Sequence, residues 1–133
     1  MQSRRSSQML MAIGSLLAAL AVAAGAFGAH MLKAILEPPM LAVFETAARY
    51  QMYHALGMIA VGLAGKIDGC PQLARAGWCF AAGILLFCGS LYGVSLLGIR
   101  WLGAMTPVGG LAFIAGWSLF GWYVWREKMP AQD

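Results

Sequence analysis

Residues 38–65 read PPMLAVFETAARYQMYHALGMIAVGLAG, long enough to cross a bilayer yet carrying Glu45, Arg49, Tyr50, Gln51, Tyr53 and His54 where a membrane span should carry leucines. Ionisable groups are costly in hydrocarbon and persist where they face a protein interior, a cavity or a partner. From His54 to Gly65 there are only twelve residues, about 18 Å of helix, too short to cross alone. Any crossing here must therefore include the polar residues. The helix is predicted to begin just after Pro38-Pro39, with Pro39 tolerated in its first turn. The alternative is an interfacial helix over 40–50 that bends into a short or tilted span. Whether 40–65 is one buried crossing decides the bundle, its orientation and the sites that follow.

Around this stretch the composition points to lipid. The chain is 61% hydrophobic and only 11% charged, with a mean hydropathy of +0.72. A soluble domain is about 45–50% apolar and about 25% charged, so this one would lack the charged surface to stay dispersed. The length of 133 residues suits a single domain, 1–133. The net charge of +4 comes from basic residues scattered at the edges of apolar runs. No basic stripe exists for phosphates to follow, so nucleic acid is not an expected partner and the bilayer is.

Three further apolar runs complete the pattern. Span one, 9–29, has no charge, and its 21 residues rise about 31 Å. A cleaved signal peptide is the rival reading, but the run exceeds the usual length of about 7–15 residues for such a core. Span three is 73–98, with Trp78 near its start and Tyr92 further along. Span four is 107–125, predicted to open with Thr106 as N-cap and Pro107 at the first helical position. Gly109 and Gly110 follow, which would leave first-turn amides open to approach. The end of this span, GWYVWREK at 121–128, is an aromatic belt followed by basic residues.

With four spans both termini share a side, which would hold Arg4, Arg5, Lys66, Arg75, Arg126 and Lys128 against Lys33 and Arg100 opposite. The positive-inside rule places that side in the cytoplasm. The expected fold is an all-α integral membrane four-helix bundle in the inner membrane. Gly89 with Gly93, Ala112 with Gly116, Gly77 and Gly83 are expected to let helices approach closely within the chain. Cys70, Cys79 and Cys88 are spaced for neither a metal nor a disulfide framework and read as packing residues.

On a helical wheel Glu45 and Arg49 share one face, in the favourable order for an i,i+4 ion pair. Tyr50 and His54 share the opposite face. The bland reading is a neutralised pair near the interface and an interhelical hydrogen-bond knot. The sharper reading is a proton relay, ion site or ligand site, because imidazole titrates near neutrality. A haem held by His30 and His54 is disfavoured: the two histidines differ by about 15 Å in depth. Neither a metalloprotease, a phosphate-loop nor a nucleophile-elbow motif is present, and no cofactor is expected.

Three motifs then add up to a resemblance. GAFGAH at 25–30, the Glu45…Tyr50-Gln51…Tyr53-His54-Ala55 pattern and Thr106-Pro107-x-Gly109-Gly110 together resemble domain-of-unknown-function family 423, the YgdD or transmembrane protein 256 family. The likeness covers nearly the whole chain. It implies a four-span protein of the bacterial inner membrane, with mitochondrial relatives, and implies no established activity. The motif residues carried over are Gly25, Gly28, His30, Glu45, Tyr50, Gln51, His54, Thr106, Pro107 and Gly110. His30, the start of span two and Thr106-Pro107 all fall toward the non-cytoplasmic half, where they are expected to converge. The leading functional expectation is a non-enzymatic accessory or scaffold subunit, with a membrane-protein partner or a homo-oligomer. The alternatives are a small oligomeric transporter or proton conductor using His54 and Tyr50, and a redox subunit binding quinone or haem.

Overall fold

The protein is described here by a computed structural model covering residues 2–68 and 70–127. Lys128, counted above on the terminal side, lies outside the described residues. All regular structure among the described residues is helical. Helix α1 is Gln2–His30, followed by a 3-10 turn Leu32–Ala34. Helix α2 is Pro38–Asp68, a single unbroken helix of 31 residues. Both prolines sit in its first turn, where a missing N–H costs nothing. The bend into an interfacial helix does not occur.

Helix α3 runs Leu73–Leu97 and widens into a π segment at Ile84–Cys88. It ends at Gly98, whose φ of +67° is a left-handed cap that glycine adopts without a side-chain penalty. A 3-10 segment, Arg100–Met105, leads directly into α4, Thr106–Glu127.

Helix α2 is central. It packs along α1 on one side and α3 on the other, and α4 closes against α3. The α1–α2 contact is antiparallel and depends on glycine: a Cβ on Gly14 would stand 2.8 Å from the Ala55 carbonyl, and one on Gly62 2.8 Å from the Ser7 carbonyl. Between α3 and α4, Gly83 faces Phe113 and Gly116 faces Phe80, while Gly109 lies against the backbone of Phe87. Small residues let helices meet by van der Waals contact where lipid offers no hydrophobic drive. Of the expected pair in α3, Gly93 meets Leu102 in the following turn, whereas Gly89 faces open space. The GSLYG stretch is therefore no continuous docking stripe.

The core is Leu10, Met58, Val61, Leu73, Phe80, Ile84, Cys88 and Phe113, supplied by every long helix. Outside it the surface is oily: Leu16, Val22, Leu85, Leu111 and Trp125 are all more than half exposed. Apolar surface on this scale marks contact with lipid or protein rather than water. By length and apolarity the segments Arg4–Ala34, Leu73–Leu97 and Arg100–Arg126 could each cross a membrane. Helix α2 is long enough, about 46 Å, but it is the polar one, and it is also the helix with the most buried positions.

Candidate functional site

The polar residues of α2 do not form one cluster. A helix turns about 100° per residue, so side chains at 45, 49, 50, 51 and 54 leave it in three directions. Each direction meets a different neighbour.

Gln51 points into the seam between α1 and α3 and is buried. Its Nε2 donates to the Leu17 carbonyl at 2.9 Å, and its Oε1 accepts from the Tyr92 hydroxyl at 2.8 Å. One amide thus ties three helices together. The Tyr92 ring packs on Phe44 of α2, centroids 5.1 Å apart, which holds the phenol in place.

Tyr50 and His54 point toward the π segment and α4. Tyr50 stacks on Phe87 at 4.8 Å, and His54 lies flat on Phe113 with centroids 3.4 Å apart and planes 9° from parallel. Phe80 and Trp117 flank the imidazole at 5.6 and 6.1 Å. A carbonyl can only accept, so the 2.7 Å contact between His54 Nδ1 and the Tyr50 carbonyl means that Nδ1 carries the proton and donates it. His54 is packed as an aromatic disc with one nitrogen tied to its own helix. No hydrogen bond joins it to the Tyr50 hydroxyl, so the expected knot is a ring stack.

Glu45 and Arg49 take the third direction, outward. Both are exposed, and no ion pair links them among the described residues. They line an open groove with Ala48, Met52 and Tyr53 of α2 and Ala21 and Gly25 of α1. The mutual neutralisation expected from their i,i+4 spacing is not made.

The start of α4 departs from its predicted form. Thr106 has helical angles, φ −56° and ψ −46°, and its N–H is already bonded to the Gly103 carbonyl. The preceding 3-10 segment satisfies the helix start, so Thr106 is not an N-cap. Its hydroxyl instead pairs with Ser90 Oγ at 2.7 Å, while Ser90 also donates to the Phe87 carbonyl. Pro107 is exposed and Gly110 half-buried, with the Phe87 ring at the nearest approach of the latter. Gly109 is filled by the Phe87 backbone, so the expected approach to open amides is closed there. His30 is exposed at the end of α1. Among the described residues no hydrogen bond connects His30, the polar residues of α2 and Thr106.

Tyr92 and Ser90 are the polar partners that sequence reasoning left out. A phenol and a hydroxyl two residues apart in the otherwise apolar stretch 76–94 were the available signal. No group of three or more His, Cys, Asp and Glu able to hold a metal occurs among the described residues. The cysteines are free, with Cys88 buried.

Comparison with known proteins points to a membrane protein. The model of the family described as "Protein of unknown function (DUF423)" matches residues 24–110, from the last turns of α1 to the first turn of α4. The chain is 49% identical over 106 residues to the UPF0382 membrane protein YwdK of Bacillus subtilis, covering 79% of this chain and 86% of that protein. It is 47% identical over 107 residues to a UPF0382 membrane protein of Staphylococcus haemolyticus, covering 79% and 85%. A Staphylococcus aureus UPF0382 membrane protein is 45% identical with the same coverage. No solved structure matches.

Proposed function

This chain belongs to DUF423, a family of proteins of unknown function, and on that footing we propose that it is a multi-pass membrane protein serving as a non-enzymatic accessory or scaffold subunit. All four long helices cross the inner membrane as one bundle, with both termini in the cytoplasm. Helix α2 can cross despite its polar residues because Gln51 and His54 are buried against side chains and backbone of α1, α3 and α4; a polar group that faces protein costs less than one that faces lipid.

The observation that carries this reading is the way the inward polar groups of α2 are consumed inside the chain. Gln51 spends its amide on Leu17 and Tyr92. His54 is stacked on Phe113 and bonded to the Tyr50 carbonyl. Every buried side-chain nitrogen and oxygen among the described residues has a partner. Polar groups arranged in this way lock helices together and leave no succession of donors and acceptors along which a proton or solute would pass. The outward pair, Glu45 and Arg49, is left for a contact outside the chain.

Two measurements test the reading. Purified protein in proteoliposomes with an entrapped pH dye should pass protons no faster than protein-free vesicles, and His54→Gln should change nothing. Flux above that background, abolished by His54→Gln, would replace the proposal with a proton-conducting function. Gentle solubilisation of native membranes should return the protein in company; a chain that is always solitary would remove the accessory role.

A further inference from the structure

We infer that the outer face of α1 and α2 around Glu45 and Arg49 is the contact surface for a second copy of this chain, with Glu45 of each copy paired to Arg49 of the other. The inference rests on α2 crossing the bilayer; it does not depend on an accessory role.

Depth follows from the packing. Gly62 of α2 meets Ser7 and Met11, Gly14 of α1 meets Ala55 and Met58, and Gly28 meets the ring of Phe44. This antiparallel register sets Arg49 level with Val22 and Glu45 level with about Ala26. The groove agrees, since Ala21 and Gly25 line it together with Arg49 and Glu45. Val22 lies seven residues inside the charge-free run 9–29, so Arg49 leaves its helix about 10 Å below the edge of that run. Glu45 leaves about one turn nearer the surface.

An exposed guanidinium and an exposed carboxylate at these depths lack partners within the chain. Lipid tails offer none, and charged side chains at membrane depth turn to a protein partner or snorkel. The surface is self-complementary. A two-fold axis along the membrane normal brings the same face of two copies together, so every contact occurs twice. Arg49 and Glu45 differ by about 6 Å in height, which the flexible arginine spans by reaching up toward the surface. Two such pairs neutralise all four charges. The centre of the face is shallow: a Cβ on Gly25 would meet nothing within 4 Å, and Ala21 and Ala48 are small, so a second helix can lie close. A partner of different sequence would need its own acid and base within reach of Arg49 and Glu45. A second copy has them by construction.

The test uses full-length chains carrying two different tags, co-expressed and solubilised in mild detergent. Wild-type copies should co-purify. Glu45→Arg in both copies, or Arg49→Glu in both, should reduce co-purification about tenfold or more, because like charges then face each other. Copies bearing Glu45→Arg mixed with copies bearing Arg49→Glu should recover it, since both pairs across the interface again have opposite charges. Misfolded single variants could not rescue each other in this way. Four results overturn the inference: wild-type copies that do not associate, single variants that associate as wild type, a mixture that is not rescued, or a different polypeptide recovered in place of the second copy. The premise is read separately. With Cys70, Cys79 and Cys88 changed to alanine, Lys33→Cys and Lys66→Cys should label with an impermeant maleimide from opposite sides of the membrane. Labelling from one side would show that α2 does not cross and would end the proposal whatever the pull-down gives.

Discussion

Replacing Gln51 by leucine removes the side chain that joins α1, α2 and α3. The amide makes two bonds, at 2.9 Å to the Leu17 carbonyl and 2.8 Å from the Tyr92 hydroxyl. Interhelical hydrogen bonds in membrane proteins average about 0.6 kcal/mol and reach about 1.7. Gln51→Leu should therefore destabilise the protein by about 1–3 kcal/mol. The Leu17 carbonyl keeps the N–H of its own helix, so it is not orphaned. The Tyr92 hydroxyl loses its acceptor, and leaving a buried donor unpaired adds to the loss. Tyr92→Phe should cost only about 0.6–1.7 kcal/mol, since its ring still packs on Phe44. The sign of the second step is the sharp part. Adding Tyr92→Phe to Gln51→Leu should cost nothing or restore some stability, because the orphaned hydroxyl disappears. The assay is unfolding in mixed micelles as detergent composition is varied, followed by far-ultraviolet circular dichroism for all four proteins of the cycle. Losses that simply add, within about 0.3–0.5 kcal/mol, would mean that the two side chains act independently and would refute the three-helix tie.

The remaining expectations follow from the same contacts. Thr106→Val and Ser90→Ala should each cost about 0.5–1.5 kcal/mol and combine to less than their sum, because they break one shared bond; an additive loss would return Thr106 to a capping role. Gly109→Ala must push α4 off the Phe87 backbone and should lower stability by about 1–3 kcal/mol or more. Gly121→Ala meets nothing and should be neutral or stabilising by up to about 1 kcal/mol; equal thermal shifts for the two would contradict the packing. His54→Ala empties the space on Phe113 and should cost about 2–4 kcal/mol. His54→Phe, which keeps an aromatic disc there, should cost less when both are followed in the same unfolding assay.

How far the site was legible depends on which force places each residue. The helices were readable because length and apolarity act locally: 20 or so apolar residues predict a crossing wherever they occur. The helical wheel correctly separated Glu45 and Arg49 from Tyr50 and His54, since that angle belongs to one helix. It could not say what stands opposite. Gln51 looked like one polar residue among six, and only the approach of α1 and α3 makes it the joint. Thr106-Pro107 carried a local signal for a capped helix start, and tertiary context overrode it: a 3-10 segment had already satisfied the N–H, which left the hydroxyl for Ser90. The Glu45–Arg49 pair failed for the opposite reason. Spacing allows an intrahelical ion pair worth about 0.2–0.5 kcal/mol, a preference too weak to fix two flexible side chains.

By itself, then, the chain of residues determined the solvent and the helices, because the free energy of moving a side chain from water to hydrocarbon is a property of that side chain. It also determined family membership through motifs that recur in order. The tertiary structure decided which polar groups are partners. A hydrogen bond between helices requires two atoms from distant sequence positions to meet within about 3 Å. That meeting is set by where Gly14, Gly62, Gly83 and Gly109 let backbones come together, and no single segment contains that information.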